Sequence, residues 1–211
     1  MKPISRLTEL TEDWKHYIHR DGFPSALPLI ATEIAKLPYR RIKFVVMARS
    51  LLDPFPDWQP KIQLVIRPFE TADLDLVRRI DRPSEARLCM QRLAQGHKGL
   101  MAFCDGKPAG YAWGSTDTHT RLERVHPKLF PGDVLCTDSF TSPVFRGMGI
   151  QTSLTLARLF LFRELGYCRV ISYIEVRNRP SLSVWQRKFN SQTIGSIDFQ
   201  RIGPWYRVRY Y

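Results

Sequence analysis

The sequence predicts an α/β fold, and three observations carry the prediction. Short apolar and β-branched runs recur between segments of helical spacing, the pattern of strands alternating with helices. Asp105-Gly106 stands between two such runs, and that dipeptide favours a tight hairpin. From Val134 to Gly166 the order is strand, glycine turn, then helix. With 211 residues, 44% of them apolar, the chain can bury a genuine core.

Residues 1–60 read as an N-terminal extension and linker, and residues 61–211 as the main domain. Trp14, Tyr17 and Ile18 make one apolar face of a short helix. Ser25 caps a second helix, which carries Leu27, Leu29, Ile30, Ile34 and Leu37 and ends before Pro38. Arg41 to Leu51, rich in Phe44, Val45, Val46 and Met47, suits a strand buried on both faces. The proline-rich Leu51 to Pro60 is a linker. The extension is expected to complete the sheet or to make a homodimer contact, ahead of peripheral contact with a membrane.

In the main domain, strands are expected at 62–67, 98–104, 108–116, 133–140, 169–175, 193–200 and 204–210. Helices are expected at 71–80, 84–95, 149–165 and 179–189. The 149–165 helix rests on Leu154, Leu156, Ala157, Phe160, Leu161 and Leu165 at three- and four-residue spacings, stopped by Gly166. Just before it, Gly147 and Gly149 let the backbone turn tightly and meet a ligand with no Cβ in the way, and Arg146 adds a fixed positive charge. Backbone N–H groups at a helix start beside such a turn suit a diphosphate. Two glycines can also serve helix–strand packing alone.

The run Pro143, Arg146, Gly147, Gly149, Ile150 resembles the acyl-CoA-binding motif of the GNAT acyltransferases. Tyr173 to Trp185 resembles that family's fifth strand running into its next helix, and Lys61 to Ile80 its opening strand and helix, so the likeness covers about residues 61 to 211. The resemblance implies a GNAT fold: a mixed, mostly antiparallel sheet, flanked by helices and splayed where the cofactor binds. It implies acetyl-CoA or another acyl-CoA as cosubstrate, with no metal. The cofactor residues it implies are Phe140, Thr141, Arg146, Gly147, Met148, Gly149, Ile150, Gln151, Asn178 and Ser181. Three positions depart from the family pattern. Gln151 replaces the cradle's last small residue, Asn190 stands where Gly is common, and Trp185 stands where many relatives carry a Tyr that protonates the leaving thiolate. An indole N–H is no acid at neutral pH, so another group or solvent must do that work.

An amine acceptor is mostly protonated at neutral pH and must lose a proton before it attacks a thioester. Glu175 is the first candidate base, matching the Glu that the ribosomal-protein alanine acetyltransferases use in an L-E-V-R stretch, and Asp138 is the second. Each also has a structural reading, Glu175 as a partner of Arg177 and Asp138 as a strand-end cap. Tyr206 is a candidate acid, although terminal aromatics also pack last strands. The backbone at Phe140 and Thr141 is expected to polarise the thioester carbonyl. The long segment from Asp117 to Gly132, with His119 and His126, is expected to form part of the acceptor pocket.

A net charge of +12 predicts attraction to an anion, whether CoA, an acidic carrier protein, nucleic acid or an anionic membrane. No zinc finger, RNP-like strand or basic zipper accompanies the charge, which leaves nucleic acid a weak second reading. Cys89, Cys104, Cys136 and Cys168 are far apart and lack CxxC spacing, so they read as small buried residues and not as a zinc or disulfide framework. No apolar run approaches the roughly 20 residues that span a bilayer, and the first residues are too polar for a signal peptide, which predicts a cytoplasmic protein. Together these readings predict an N-acyltransferase, acetyl-CoA dependent, acting by direct attack of a small-molecule amine such as an amino sugar. The alternatives are a catalytically inactive CoA-binding regulatory module and an acyl-carrier-dependent long-chain N-acyltransferase.

Overall fold

The computed structural model describes residues 6–35, 39–115, 125, 127–202 and 205–211. The elements run α1 (Arg6–Asp21), α2 (Phe23–Ala35), β1 (Tyr39–Ser50), β2 (Leu64–Pro68), α3 (Asp73–Ile80), α4 (Pro83–Ala94), β3 (Lys98–Cys104), β4 (Lys107–Ser115), β5 (Asp133–Thr141), α5 (Ile150–Glu164), β6 (Arg169–Glu175), α6 (Arg179–Ser183), β7 (Gln192–Ile202) and β8 (Trp205–Tyr210). A single 3-10 turn, Pro143–Phe145, precedes α5, and α6 widens into a π-turn at Val184–Lys188.

The strands form one eight-stranded sheet in the order β2-β3-β4-β5-β6-β1-β7-β8. Every neighbouring pair is antiparallel except β5 with β6, so the sheet is mixed and mostly antiparallel. Asp105 and Gly106 have φ of 48° and 72°, the left-handed pair that a two-residue hairpin between β3 and β4 requires. Asn190, at φ 47°, takes the turn where glycine was the expected residue.

β1 lies inside the sheet, hydrogen-bonded to β6 on one side and β7 on the other. The role expected of the extension, completing the sheet, is what this strand performs. Phe44, Val46 and Ala48 pack on one face with Leu135, Ile171, Ile197 and Phe199, while Met47 packs on the other with Val134, Val170 and Trp185. Both faces are thus buried, as the unbroken apolar run required.

Helix α5 covers the second face, contributing Ile150, Leu154, Leu159 and Phe162 to the core. Gly114 on β4 makes room for Phe162, because a Cβ there would collide with the ring. Helices α3 and α4 cover the first face over Met101, Tyr111 and Trp113. α1 docks on α4, where buried Asp13 accepts from the Ser84 hydroxyl at 2.9 Å and the Ser84 N–H at 3.4 Å. α2 begins at Phe23, two residues ahead of the expected Ser25 cap. Of the four cysteines, Cys168 is exposed, which corrects the reading of all four as buried. It stands in the turn between α5 and β6, where its N–H donates to the Gly132 carbonyl at 2.9 Å. No described helix is long and apolar enough to cross a membrane.

Candidate active site

β5 and β6 are paired only from Asp133 opposite Arg169 to Cys136 opposite Ser172. Beyond that point the two strands separate, and a cleft of 640 Å³ opens between them. The separation has a local cause on β5. Ala112 pairs with Ser139 and Trp113 with Thr137, so Asp138 is an extra residue, a bulge, and its φ is 30°.

The cleft brings together residues distant in sequence. Its lining includes Asp138, Phe140, Thr141, Arg146, Gln151, Glu175, Asn178 and Ser181, eight of the positions singled out from the sequence. Gly147 and Gly149 form the turn into α5 with φ of 81° and 88°, and Gly149 is the helix N-cap. Met148 is exposed between them, and the Ile150 side chain is buried in the core, so Ile150 offers the site only its backbone. A first helical turn has no carbonyl to receive its own N–H groups, so those of Ile150, Gln151 and Thr152 face outward. No acidic side chain occupies that turn. Arg146 stands beside it, its Nε donating to the Thr141 carbonyl at 3.4 Å.

On the opposite wall Asn178 caps α6, its Oδ1 accepting from the Ser181 N–H at 3.2 Å. The cap fixes the amide and leaves its N–H groups as donors. Backbone donors on β5 follow from the ladder. The Ser142 N–H donates to the Ala109 carbonyl at 2.9 Å. N–H directions alternate along a strand, so the Phe140 N–H also turns toward β4 and that of Thr141 toward the open side. Phe140 is in the lining, and its ring stacks on Tyr111 at 5.5 Å. Tyr111 is itself held by a 2.6 Å bond to Asp81, and burial together with the Asp81 charge pushes its phenol well above the usual range.

The two candidate bases differ in their surroundings. Asp138 is ion-paired with Arg92, a buried guanidinium from α4 that lies over the Trp113 ring. Glu175, at the end of β6, makes no hydrogen bond or ion pair through its carboxylate among the described residues. Tyr206 is not brought to the cleft. It lies on β8, three strands from β6, about 14 Å at the usual strand spacing, with its ring stacked on Phe199. His119 and His126 lie outside the described residues.

Several lining residues were not singled out as site residues: Phe44, Cys136, Ser139, Arg158, Ser172 and Tyr173, with Trp185 noted only for the phenol it lacks. Ser172 and Tyr173 sit on a strand whose far end already carried Glu175, and its alternation could have suggested them. Phe44 carried no local signal, since it reaches the cleft through pairing with Glu175 across 131 positions. Burial pushes the Cys136 thiol up against the opposing effect of Arg158.

Comparison with known proteins bears on this arrangement. A family model described as the acetyltransferase (GNAT) family matches residues 59–190. Among solved structures, a Drosophila protein is 13% identical with a TM-score of 0.56, covering 87% of this chain and 58% of its own. A GCN5-related N-acetyltransferase from Sphaerobacter thermophilus is 19% identical with a TM-score of 0.53, covering 91% and 57%. A putative GNAT-family acetyltransferase from Novosphingobium aromaticivorans is 12% identical with a TM-score of 0.52, covering 76% and 65%. The chain therefore spans less than two thirds of the length of these three neighbours, and at such identities the likeness is one of fold. No curated protein matches the chain. The family model spans well over half of the sequence and includes the glycine turn, the splayed strands and the capped α6, and on that match the chain belongs to the GNAT acetyltransferase family.

Proposed function

We propose that this protein is an acyl-CoA-dependent N-acyltransferase, moving an acetyl group to the primary amine of a small molecule such as an amino sugar by direct attack. The observation that carries the reading is the junction of two features in one cleft. The β5–β6 splay opens beside the first turn of α5, and Arg146, Gln151 and Asn178 line the same space as Glu175, whose carboxylate has no partner among the described residues. The residues fit a CoA thioester. The left-handed Gly149 frees backbone N–H groups, Arg146 adds charge, and no carboxylate in the first turn of α5 repels a diphosphate.

The bound thioester supplies the activated acyl group. The chain's own residues then have three tasks. The outward N–H groups at the start of α5 and Arg146 hold the phosphates, and Asn178 donates to the amide-bearing arm from the opposite wall. The Thr141 N–H faces the cleft as the donor to a carbonyl held along β5. Glu175 takes a proton from the amine, directly or through water. Held together in the cleft, amine and thioester would react as an oriented pair, which accounts for much of the rate: the C–N bond forms as the C–S bond breaks, and the proton that the nitrogen sheds passes through solvent to the leaving thiolate. Cys136 is the one thiol in the lining, and burial keeps it protonated, which supports direct attack over relay through a cysteine.

Trp185 supports a second reading. It is 2% exposed within the lining at the position where a phenol would serve as acid, as in a CoA-binding module without catalysis. The two readings part in one experiment. The protein is mixed with acetyl-CoA and longer acyl-CoAs and a panel of amines, and both free-thiol release and thermal shift are followed. Thiol release that depends on an amine, and that falls at least tenfold in Glu175→Gln with acyl-CoA stabilisation retained, is the expected result. Stabilisation without thiol release for any amine establishes the binding module instead.

A further inference from the structure

β7 and β8 form a hairpin at one edge of the sheet, and the N-terminal end of β1 runs beside its tip. Tyr39 pairs with Ile202, and Ile202 with Trp205, so three large side chains share one face at the very end of the strands. They are 49%, 62% and 74% exposed.

Cations stand directly behind this row. One position further in, Arg40 pairs with Arg201 on the opposite face. At the second position, about 7 Å from the row, Arg41, Gln200 and Arg207 lie across the three strands. Two positions beyond these come Lys43, Asp198 and Arg209. Asp198 is the one acid in these rows, and Arg41 holds it in a 2.6 Å ion pair. Arg207 and Arg209 are exposed and make no ion pair among the described residues.

The order along the strands, apolar end first and basic residues behind, selects the partner. An anionic bilayer has phosphates outside and hydrocarbon beneath. Docked on it, Ile202 and Trp205 would lie below the phosphates while the guanidinium groups stay level with them. Single-stranded nucleic acid offers rings for Tyr39 and Trp205 and phosphates for the cations, but nothing for Ile202. A second copy meeting at this tip would bring cations against cations. The net charge of +12 adds long-range attraction to an anionic surface.

We propose that the β7–β8 tip, with Tyr39 beside it, docks this protein peripherally on an anionic lipid bilayer. The tip stands at the same end of the sheet as the cleft. Phe44 pairs with Glu175, and β1 runs on from there to Tyr39, about 17 Å away. A docked molecule therefore holds its cleft near the lipid surface. The docking does not depend on the acyl-CoA reading above.

Co-sedimentation of the full chain with phosphatidylcholine vesicles, with and without phosphatidylserine, tests this. Binding should be at least tenfold stronger with phosphatidylserine and should fall as salt rises. Arg207→Gln combined with Arg209→Gln should weaken it about 30-fold, since each basic residue at the surface adds roughly fivefold. Ile202→Ser combined with Trp205→Ser should weaken it at least tenfold and leave the salt dependence unchanged. All four side chains are exposed, and circular dichroism checks that both variants keep the wild-type fold. Absence of binding, or equal binding to the two vesicles, overturns the proposal. Full binding by the variant lacking Ile202 and Trp205 overturns it as well. Tighter binding to a single-stranded oligonucleotide at the same salt, lost with the two arginines, assigns the surface to nucleic acid instead. A dimer in sedimentation velocity that is lost in Trp205→Ser assigns it to a second copy.

Discussion

Arg92 on α4 reaches across to Asp138 on β5 and pairs with it at the bulge that parts β5 from β6. The carboxylate that looked like a candidate base in sequence therefore anchors the backbone distortion that makes the cleft. Asp138→Asn should leave the buried guanidinium without its counter-charge and cost about 3 kcal/mol in urea unfolding. Residual activity in that variant should keep the wild-type shape of its pH–rate profile, in contrast to Glu175→Gln. A profile flattened by Asp138→Asn and untouched by Glu175→Gln would reverse the two roles.

Gly149 is constrained twice, by its φ of 88° and by Trp58 on its α-carbon. Gly149→Ala is expected to cost about 1–3 kcal/mol from the left-handed backbone alone. It should also push the indole away and weaken CoA at least tenfold in calorimetric titration. Retention of full CoA affinity by Gly149→Arg would remove the cradle from the start of α5.

Asp133 opens β5 opposite Arg169. Burial raises its carboxylate, but two hydrogen bonds from Arg169 at 2.7 Å each, the Phe130 N–H at 2.9 Å and the Arg169 charge outweigh this and hold it below the usual value. The sign follows from linkage. The unfolded chain takes up the proton first as pH falls, so the pair's contribution is present above the ordinary carboxylate range and is lost as pH drops through the lower folded value. Asp133→Asn should cost about 2 kcal/mol at pH 7 and progressively less below about pH 4, measured by urea denaturation across that range. A constant difference down to pH 2 would rule out ionisation as the source.

β1 supplies hydrogen bonds to two neighbours, and Met47 on it is 0% exposed. Met47→Ala is expected to cost about 3 kcal/mol by cavity formation. A fragment beginning at Leu51 would leave β6 and β7 with open edges, and circular dichroism should show it unfolded. A cooperative unfolding transition in that fragment would make residues 1–50 an accessory to the sheet.

Much of the fold was legible because its signals are local. Strands at 98–104 and 169–175 stand where alternation and flanking turns put them, and the α5 apolar stripe gave a helix within one residue of its observed ends. Asp105-Gly106 named its own hairpin. Of the candidate site, the glycine turn was readable because a left-handed backbone suits few residue types, and Asn178 was named through the resemblance to the GNAT family. Arg92, Phe44 and Trp58 were not readable. Each reaches its partner from a distant element, and no spacing along the chain encodes that distance.

The sequence alone determined most of the order of elements and the left-handed turn at Gly147 and Gly149, because both depend on residue type and short-range periodicity. Tertiary structure decided that Asp138 meets Arg92, while the Glu175 carboxylate has no partner among the described residues, because only folding brings α4 against β5. It also decided where Arg41 to Leu51 belongs. A strand buried on both faces can be read from its apolar run, but its place between β6 and β7 is set by hydrogen-bond pairing between segments more than a hundred residues apart.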